Sequence, residues 1–421
     1  MKKILYIVSN PFAYTQRSVG GNISSANGVI KSFRDKGYEL DILSDDFIPG
    51  LENKLKGINF IFLPFSKLRF YVSKLSNYII IKNIFSKLEN FIFQKIIFSK
   101  VKNLLKNNKY EYFYIRASFH THVISQLIKK NKIKLILEVN KPLSMTPFNK
   151  DSSGNWPKNK KEVIIPKAEK IQYDIAKIIT VDSSLRAKWI IDFVGDYKNK
   201  ILINHNGVDF NKFQPTKKDF KILKSLGLMP NDIIVGMASS FRWYNDLIEL
   251  FKIIRATLLK NNNIKFLLIS GDKIKANLIY SYIKKYKLLN SVKLVQQIPF
   301  KNMPKILNLC DICLSHFNFH KKWPHNCSIK HLEYLSLSKP VVATNVGEVN
   351  FAIENGINGY LCEEGRIDEY VEAIINLAKK PNLRESFGIA GRNKAILDLN
   401  WDKNVQRILS FHAKLDKSTN L

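Results

Sequence analysis

The residues best suited to chemistry lie at the start of one predicted helix in the last third of the chain. Ser328 is a good N-cap, and apolar residues recur at helical spacing over Ile329–Leu337. A phosphate beside Cys327 and Ser328 would be stabilised without a metal ion, because a helix N-terminus presents unpaired N–H groups and partial positive charge. Lys330 and Glu333 share one face of this helix. Together they offer a cation for an anionic leaving group and a carboxylate for sugar hydroxyls, which is what a nucleotide-sugar site needs.

The segments after this helix have the order expected of a nucleotide site in an α/β protein. Lys339-Pro340 ends the helix, and VVAT is a β-branched run typical of a buried strand. The loop after Thr344 contains Gly347. We therefore expect ligand contacts at the helix start and in this loop, with Gly347 among the donor-binding residues.

Further candidates follow predicted strands of the first half. Gly20 and Gly21 come after the first strand, where glycine lets the backbone approach an anion closely, although a Gly pair is also common in plain turns. Arg116 ends YFYIRA, where it could meet an acceptor phosphate or form an ion pair with Glu138. In LILEVN, Glu138 and Asn140 lie on the same side of a strand.

The elements that must position these residues alternate along the chain. KILYIV, ELDILS, NFIFLP, YFYIRA, KLILEV and KIITVD read as strands of a first unit, and DIIVGMA, KFLLIS, VKLVQQI, ICLSHF and VVAT as strands of a second, with helices between them. This pattern predicts an α/β fold of two doubly wound, Rossmann-like domains facing a cleft, which is the default ligand site. The irregular segment 146–161 after LILEVN is either an acceptor-side lid or a disordered insertion.

The chain resembles the GT-B glycosyltransferases, specifically the retaining family 4, in order along nearly its whole length. The resemblance rests on KHLEYLSLSKPVVATNVGE, on SIKHLEY, which is close to a subgroup's Ser-Pro-x-Lys-x-x-Glu-Tyr, and on ILINHNGVDFNKF, where His205 replaces the family's proline. IIVGMASSFRWYNDLIEL, FLLISGD and LILEVNKPL extend it. It implies an acceptor-side domain over 1–195, a nucleotide-sugar-binding domain over 196–400 and a helix over 401–421 that returns to the first domain. Asn206-Gly207 suits a tight turn that shapes the interdomain hinge.

The same resemblance assigns roles to residues. Arg242 and Lys330 would receive the leaving diphosphate, and Glu333 matches the second Glu of a Glu-x7-Glu motif that clamps the ribose, whose first Glu falls at His325. Asn140 stands where the family often has a His that contacts the donor sugar, but Asn cannot act as a general base near neutral pH. The family is thought to need no protein nucleophile, so a structural or acceptor-orienting role is expected of Glu138.

The activity implied is retaining transfer of a hexosyl or N-acetylhexosaminyl group. The donor would be a UDP- or GDP-type sugar and the acceptor a lipid-linked or other saccharide, in assembly of a bacterial surface polysaccharide such as capsule or O-antigen. No metal ion or other cofactor is expected.

The formal net charge of +32 over 421 residues concentrates in one region. Residues 66–109 are rich in Lys and interleaved with Phe, Tyr, Ile and Leu, which suits either amphipathic helices on an anionic membrane surface or ordinary helices packed on the sheet. Nucleic acid is not expected as a partner, because no known nucleic-acid-binding motif occurs. The opening MKKILYIVSN is too short for a signal peptide, and no uncharged window approaches about 18 residues. We expect a cytoplasmic protein, peripheral on the inner face of the membrane.

The cysteines and histidines favour no metal site. Cys310 and Cys313 form a CxxC within LCDICLSH, which reads as a strand, so their side chains should point to opposite faces. Buried reduced thiols are the expectation for all four cysteines. His316, His320 and His325 could be read as a zinc cluster, but they lack repeated ligand spacing.

Two other functions remain open from the sequence. A nucleotide-sugar epimerase or phosphorylase could use the same fold. A non-catalytic, basic membrane- or nucleic-acid-binding protein is favoured by the missing first Glu of the motif and by the absence of the family's Lys-Gly turn.

Overall fold

The computed structural model describes residues 2–8, 21–44, 56–63, 79–145, 163–241, 246–317 and 328–418. They form two compact units. The first is built mainly from Ser25–His205, with β1 before it and Asn404–Leu421 after it, and the second mainly from Asn206–Lys403. The predicted boundaries at 195 and 400 stay a prediction.

The first unit is a seven-stranded parallel sheet flanked by helices. Its strands are β1 (Lys3–Val8), β2 (Glu39–Ser44), β3 (Ile58–Phe62), β4 (Tyr112–Arg116), β5 (Lys134–Val139), β6 (Ile178–Val181) and β7 (Ile201–Ile203). Its helices are α1 (Gly21–Asp35), α2 (Ile79–Asn107), α3 (Ser125–Lys130), α4 (Lys167–Ile175) and α5 (Ser184–Trp189), with short turns at Thr121–Ile124 and Lys198–Lys200 and a π-helix at Ile190–Val194.

The second unit has a six-stranded parallel sheet. Its strands are β8 (Ile233–Ser239), β9 (Ile264–Ser270), β10 (Val292–Gln296), β11 (Ile312–Ser315), β12 (Val341–Thr344) and β13 (Gly359–Cys362). Its helices are α6 (Phe220–Ser225), α7 (Leu247–Lys260), α8 (Lys273–Lys285), α9 (Met303–Leu307), α10 (Ile329–Ser336), α11 (Ile367–Lys379) and α12 (Pro381–Leu397), with short turns at Phe300–Asn302 and Val349–Phe351. The last helix, α13 (Trp401–Ser418), follows.

Strand order places a switch point in each sheet. The orders are β3-β2-β1-β4-β5-β6-β7 and β10-β9-β8-β11-β12-β13. Neighbouring connections therefore leave in opposite directions from β1 and β4 in the first sheet and from β8 and β11 in the second. In such sheets ligands bind outside the carboxyl ends of these strands. The predicted α/β class with two doubly wound sheets is confirmed, whereas the cleft between the units stays a prediction.

Burial on both sheet faces explains why the strands are so apolar. In β9, Leu267 and Ile269 belong to one core cluster, while the alternate residues Phe266 and Leu268 belong to another on the opposite face. A strand covered by helices on both faces reads as a continuous apolar run rather than an alternating one. Both clusters are needed to hold the central strands, and thus the switch point, in place.

The described part of the basic region forms a long helix. Residues 66–78 lie outside the described part of the chain, and α2 runs unbroken for 29 residues. Phe93, Ile97 and Val101 pack into the core of the first unit, while Phe91 and Lys95 are exposed. The helix thus packs on the sheet with one face and presents a mixed apolar and cationic face to solvent. Among the helices described, none is both long and apolar enough to span a bilayer.

The last helix is held to the first unit by a charged cluster. The Nζ atoms of Lys134 and Lys177 each lie 3.0 Å from a carboxylate oxygen of Asp416, and the rings of Tyr112 and His412 meet edge-on at 5.2 Å between centroids. Lys134 and Lys177 lie at the starts of two neighbouring strands, and both contact the carboxylate of Asp416. These contacts fix the position of α13 along the sheet edge.

The prediction for the CxxC pair was wrong. Cys310 precedes β11, so the alternation of side chains along a strand does not apply to it. Both thiols are buried in the same core cluster, and burial, followed by a hydrogen bond with Cys310, raises the pKa of Cys313. Cys310, Cys313 and Cys362 are buried free thiols, as expected, and Cys327 lies outside the described residues.

Gly207 lies where two backbone segments approach each other closely, and it does not form the predicted tight turn. Its φ is not positive, and a Cβ added there would lie 2.8 Å from both the carbonyl carbon of Asn400 and the backbone nitrogen of Trp401. The next residue, Val208, donates its N–H to the Leu399 carbonyl at 2.8 Å. Only glycine lets these two backbone segments pack at this distance.

The Gly207→Ala variant should lose about 1–3 kcal/mol of unfolding free energy, because backbone atoms cannot yield to a new methyl group as a flexible side chain does. Urea unfolding measures the loss. Gly271→Ala is a matched control, since an added Cβ there meets nothing within 4 Å. Equal stabilities for the two variants would contradict the close-packing account.

Candidate functional site

The helix start predicted to bind the donor lies at the switch point of the second sheet. Ser328 takes the N-cap position of α10 with extended backbone, but its hydroxyl makes no capping hydrogen bond. The first turn of α10 lies beside the carboxyl ends of β8 and β11. The predicted element is therefore confirmed, and the hydroxyl of Ser328 is not used by the helix itself.

Lys330 reaches from α10 to the end of β8. Its side chain is half-buried, with Nζ 3.4 Å from the Ser239 hydroxyl and 5.7 Å from the centre of the Phe317 ring. Burial lowers the pKa of Lys330 to about 8, and the nearby Glu333 acts in the opposite direction. An anion placed here would favour the charged lysine and supply the interaction that burial has removed.

Glu333 lies one turn further along α10 and is 6% exposed. Burial raises its pKa to about 7, while Lys330 and Lys212 act to lower it. A lysine and a carboxylic acid whose pKa values both lie near neutrality are unusual, and perturbed groups of this kind concentrate at functional sites. The pair can change protonation when an anionic ligand arrives.

Two further residues fix α10 against the sheet. His331 is fully buried with Nε2 2.7 Å from the hydroxyl of Ser315, the last residue of β11. Burial, with Lys330 adding to it, lowers the pKa of His331 to about 3, so its ring is neutral. The Tyr334 hydroxyl accepts the Ala238 N–H at 2.9 Å. The helix start is thereby tied to both switch-point strands.

The loops after β11 and β12 are tied together at the same sheet edge. The Thr344 hydroxyl oxygen accepts the N–H of Phe317 at 2.8 Å, and Gly347 follows in an exposed turn with φ of 59°. Thus the first turn of α10 with Lys330, the strand end at Ser239 and the loops with Phe317 and Gly347 lie at one edge of the second sheet. This edge is what an α/β sheet offers a ligand.

Several predicted site residues lie outside the described residues. They are Arg242, Gly20 and Cys327, and the same holds for His325 and for the predicted lid segment at 146–161. Gly21 is the first residue of α1.

In the first unit the predicted residues form one buried cluster at the ends of β4 and β5. Arg116 is 7% and Glu138 8% exposed, with Nη2 of Arg116 2.7 Å from Oε1 of Glu138 and 2.7 Å from the Ser25 hydroxyl. Nδ2 of Asn140 donates to the same Oε1 at 2.9 Å. The ion pair considered from the sequence is thus present, and Asn140 adjoins Glu138.

Electrostatics keeps Glu138 ionised in spite of its burial. Burial acts to raise its pKa, but the charge of Arg116 and hydrogen bonds from Arg116, Asn140 and Tyr114 together lower it. The cluster therefore holds a carboxylate with fixed orientation at the carboxyl edge of the first sheet. Its contact with an acceptor stays a prediction.

A buried glutamate that the sequence did not reveal supports the turn after β5. Glu169 of α4 is fully buried and accepts the Ser144 N–H at 2.7 Å and the Tyr173 hydroxyl at 2.8 Å. Ser144 in turn accepts the indole N–H of Trp189 at 3.0 Å. These bonds fix the turn that follows Asn140, and they involve residues too distant in sequence to be paired by inspection.

The described residues offer no metal centre. None of them forms a group of three or more His, Cys, Asp or Glu side chains placed to bind an ion. His316, one of the three histidines considered for zinc, is fully buried with Nε2 3.1 Å from Oε1 of Glu249, while His320 and His325 lie outside the described residues.

Comparison with known proteins places this geometry in a class. The structure is similar over 98% of this chain and 100% of the other to Anabaena HepE, crystallised in complex with UDP, with a TM-score of 0.67 at 16% identity. The two parallel sheets flanked by helices are those of GT-B glycosyltransferase structures. Residues 219–394, which carry the switch point of the second sheet, match the family of glycosyl transferases group 1.

Three curated relatives are similar to the chain. Spore coat protein SA of Bacillus subtilis is 21% identical over 72% of this chain and 84% of its own length. The capsular polysaccharide biosynthesis glycosyltransferase CapM of Staphylococcus aureus is 28% identical over 54% of this chain and 59% of its own length. The UDP-Gal:alpha-D-GlcNAc-diphosphoundecaprenol alpha-1,3-galactosyltransferase of Escherichia coli is 26% identical over 50% of this chain and 53% of its own length. The chain thus spans little more than half the length of the last two.

Proposed function

We propose that the protein is a retaining glycosyltransferase that moves a hexosyl or N-acetylhexosaminyl group from a nucleotide diphosphate sugar to a lipid-linked or other saccharide acceptor. The observation that carries this is the placement of Lys330 and Glu333 one turn apart on α10 at the switch point of the second sheet, inside the segment that matches the group 1 family. The sequence similarity to transferases for capsular polysaccharide and for a diphosphoundecaprenol-linked sugar supports a role in bacterial surface polysaccharide assembly.

The donor site follows from the chemistry of the leaving group. Departure of a nucleoside diphosphate develops negative charge, which fixed dipoles and cations must receive. Lys330 supplies the cation, the N-terminus of α10 and the turn at Gly347 supply backbone N–H groups, and Glu333 can accept hydrogen bonds from ribose hydroxyls. We favour a uridine donor because HepE binds UDP. Arg242, Gly20, Gly21 and Cys327 complete the proposed donor site.

The acceptor side is proposed at the Arg116, Glu138 and Asn140 cluster. There Glu138 orients Arg116 and Asn140, because its Oε1 accepts hydrogen bonds from both. The proposal requires no metal ion, so turnover should be unchanged by a chelator. A lipid-linked acceptor would be met at the membrane, where the exposed face of α2, with Phe91, Lys95 and Lys100, suits anionic lipid.

The test measures nucleotide release and sugar transfer with purified protein. A panel of nucleoside diphosphates and their sugars is first ranked by the rise in unfolding temperature, since a ligand of the folded state stabilises it. The best donor is then incubated with and without diphosphoundecaprenol-linked saccharide, and the anomeric configuration of the product is read by NMR. Acceptor-dependent release of nucleotide with retained configuration supports the proposal. Isomerised donor, or no nucleotide-sugar binding at all, would refute it.

Donor binding should weaken as the pH rises through about 7 and again through about 8. Protonated Glu333 adds no negative charge near a diphosphate, and protonated Lys330 attracts it, so each deprotonation lowers affinity. Above the lysine's pKa the affinity should fall by up to about tenfold per pH unit, because the protonated fraction falls tenfold. Isothermal titration of UDP across this range measures the effect.

Two variants assign the two steps of this pH profile. Lys330→Arg should remove the upper step, because a guanidinium stays charged at every pH used. Glu333→Gln should remove the lower step. An unchanged profile in both would show that other groups control donor binding.

A further inference from the structure

The outer face of α8 combines exposed aliphatic side chains with lysines. Ala276, Ile279 and Ile283 turn inward and are buried. On the opposite side of the helix, Ile274 is 79% and Leu278 41% exposed, and residues four apart lie one above the other. The helix is therefore apolar on two faces, of which only one is used by the core of the second unit.

Charge along this helix is mostly positive, since Asp272 caps its N-terminus and lysines predominate beyond that cap. From Lys273 to Cys310 the sequence contains eight lysines and no Asp or Glu. Lys273, Lys284 and Lys285 are exposed on α8, with Nζ of Lys284 4.6 Å from the Tyr280 ring centre. Exposed lysines beside exposed aliphatic residues make a surface complementary to one that is anionic and has an apolar interior.

The lysine excess is not uniform over the second unit. Helix α11, which packs on the same sheet, carries Asp368, Glu369 and Glu372, and Glu363 and Glu364 precede it. The general abundance of lysine in the chain therefore does not account for the acid-free stretch that contains α8. The position of this acid-free stretch and its exposed aliphatic residues therefore require a separate explanation.

We propose that the outer face of α8 is a docking surface for an anionic lipid membrane. Lysines are attracted to anionic headgroups, and aliphatic side chains of an amphipathic helix enter the boundary with the acyl chains. Nucleic acid is the less suitable anion, because phosphate contacts make no use of exposed Ile274 and Leu278.

This surface is separate from the membrane contact proposed for α2. It lies in the other unit and shares no residue with α2, and it depends on neither the sugar donor nor the chemistry of transfer. Membrane docking through α8 can therefore be tested whether or not the protein proves to be a transferase.

The experiment measures co-sedimentation of the full chain with vesicles of phosphatidylcholine and phosphatidylglycerol in equal parts, at low salt. Lys284→Gln/Lys285→Gln should weaken binding about 30-fold, since each lysine near such a surface contributes about 1 kcal/mol. Ile274→Ser/Leu278→Ser should also weaken it, by removing the part that enters the bilayer. Circular dichroism checks folding, which these exposed substitutions should leave intact.

A matched control distinguishes the effect of this surface on vesicle binding from the effect of the protein's net charge. Lys379→Gln/Lys380→Gln removes two exposed lysines elsewhere in the second unit, and its loss of binding should be several-fold smaller. Equal losses for the two lysine pairs would overturn the proposal, as would unchanged vesicle binding by the serine variant. If the α8 lysine variant lost affinity for duplex DNA and kept its affinity for vesicles, the surface would be a nucleic-acid site and the proposal wrong.

Discussion

The Lys330→Ala variant is expected to transfer sugar about 100 to 1,000 times more slowly than the wild-type chain, as when one fixed donor to a developing negative charge is removed. Lys330 is the described cation closest to the start of α10, and its Nζ is placed by Ser239 and the ring of Phe317. Alanine leaves the diphosphate to backbone dipoles and to any contribution of Arg242, whose role is a prediction. Steady-state rates with saturating donor measure the loss.

The same variant should fold as well as the wild type. Burial lowers the pKa of Lys330 because it disfavours the charged form. Removing the side chain therefore removes an interaction that destabilises the folded state. Glu333 then loses a nearby cation, its pKa rises further, and it becomes neutral at physiological pH. We therefore expect an unfolding temperature equal to or above that of the wild type.

An exposed lysine provides the comparison. Lys224→Ala, on α6 of the same unit, removes the same charge at an exposed residue outside the predicted donor contacts and should leave the rate unchanged. A wild-type rate in Lys330→Ala would contradict the assignment of the donor site. A slow rate together with a collapsed unfolding temperature would instead indicate a structural role.

The strands were predictable because burial on both faces imposes a simple composition. The bounds of β1, β2, β5 and β12 agree with the predicted runs to the residue, since apolar residues predominate in each. The edge strand β7 was missed because three residues give no pattern. β13 was missed for a similar reason, as it has four residues and begins with glycine.

Only part of the candidate site could be read from the sequence. Lys330 and Glu333 stand at a helix start, where local pattern and chemistry agree. Ser239 and His331 looked like ordinary residues of a strand end and of a helix, and their roles depend on β8 lying next to β11. Whether β8 lies next to β11 depends on contacts between residues far apart in the sequence, so no short segment of the sequence reveals it.

Two motifs misled because they were interpreted locally. Asn206-Gly207 resembles a turn, but the need for glycine comes from the backbone near residue 400. The CxxC was assigned wholly to a strand, yet β11 begins two residues after Cys310. Packing against a distant segment explains the first, and a strand that begins later than its sequence pattern suggests explains the second.

The Arg116→Ala variant is expected to lose about 3–5 kcal/mol of unfolding free energy at neutral pH, because it leaves Glu138 buried and ionised without its cation. The lowered pKa of Glu138 stabilises the wild type above its unfolded-state pKa, and this contribution is lost as the pH falls through the folded-state value. In the variant, burial raises the pKa of Glu138 instead. The difference between the two proteins should therefore be largest near neutral pH and shrink in acid, as measured by urea unfolding.

Replacing Glu138 together with Arg116 distinguishes the contribution of this cluster to stability from its contribution to function. Arg116→Met/Glu138→Gln should recover most of the lost stability, because no unpaired charge remains buried. If the cluster only supports the fold, this double variant should transfer sugar at the wild-type rate. If Arg116 binds an acceptor phosphate, as proposed, the stable double variant should show a raised KM for the acceptor and an unchanged KM for the donor. A double variant as unstable as Arg116→Ala would mean that the guanidinium stabilises the fold by packing, and not by compensating the charge of Glu138.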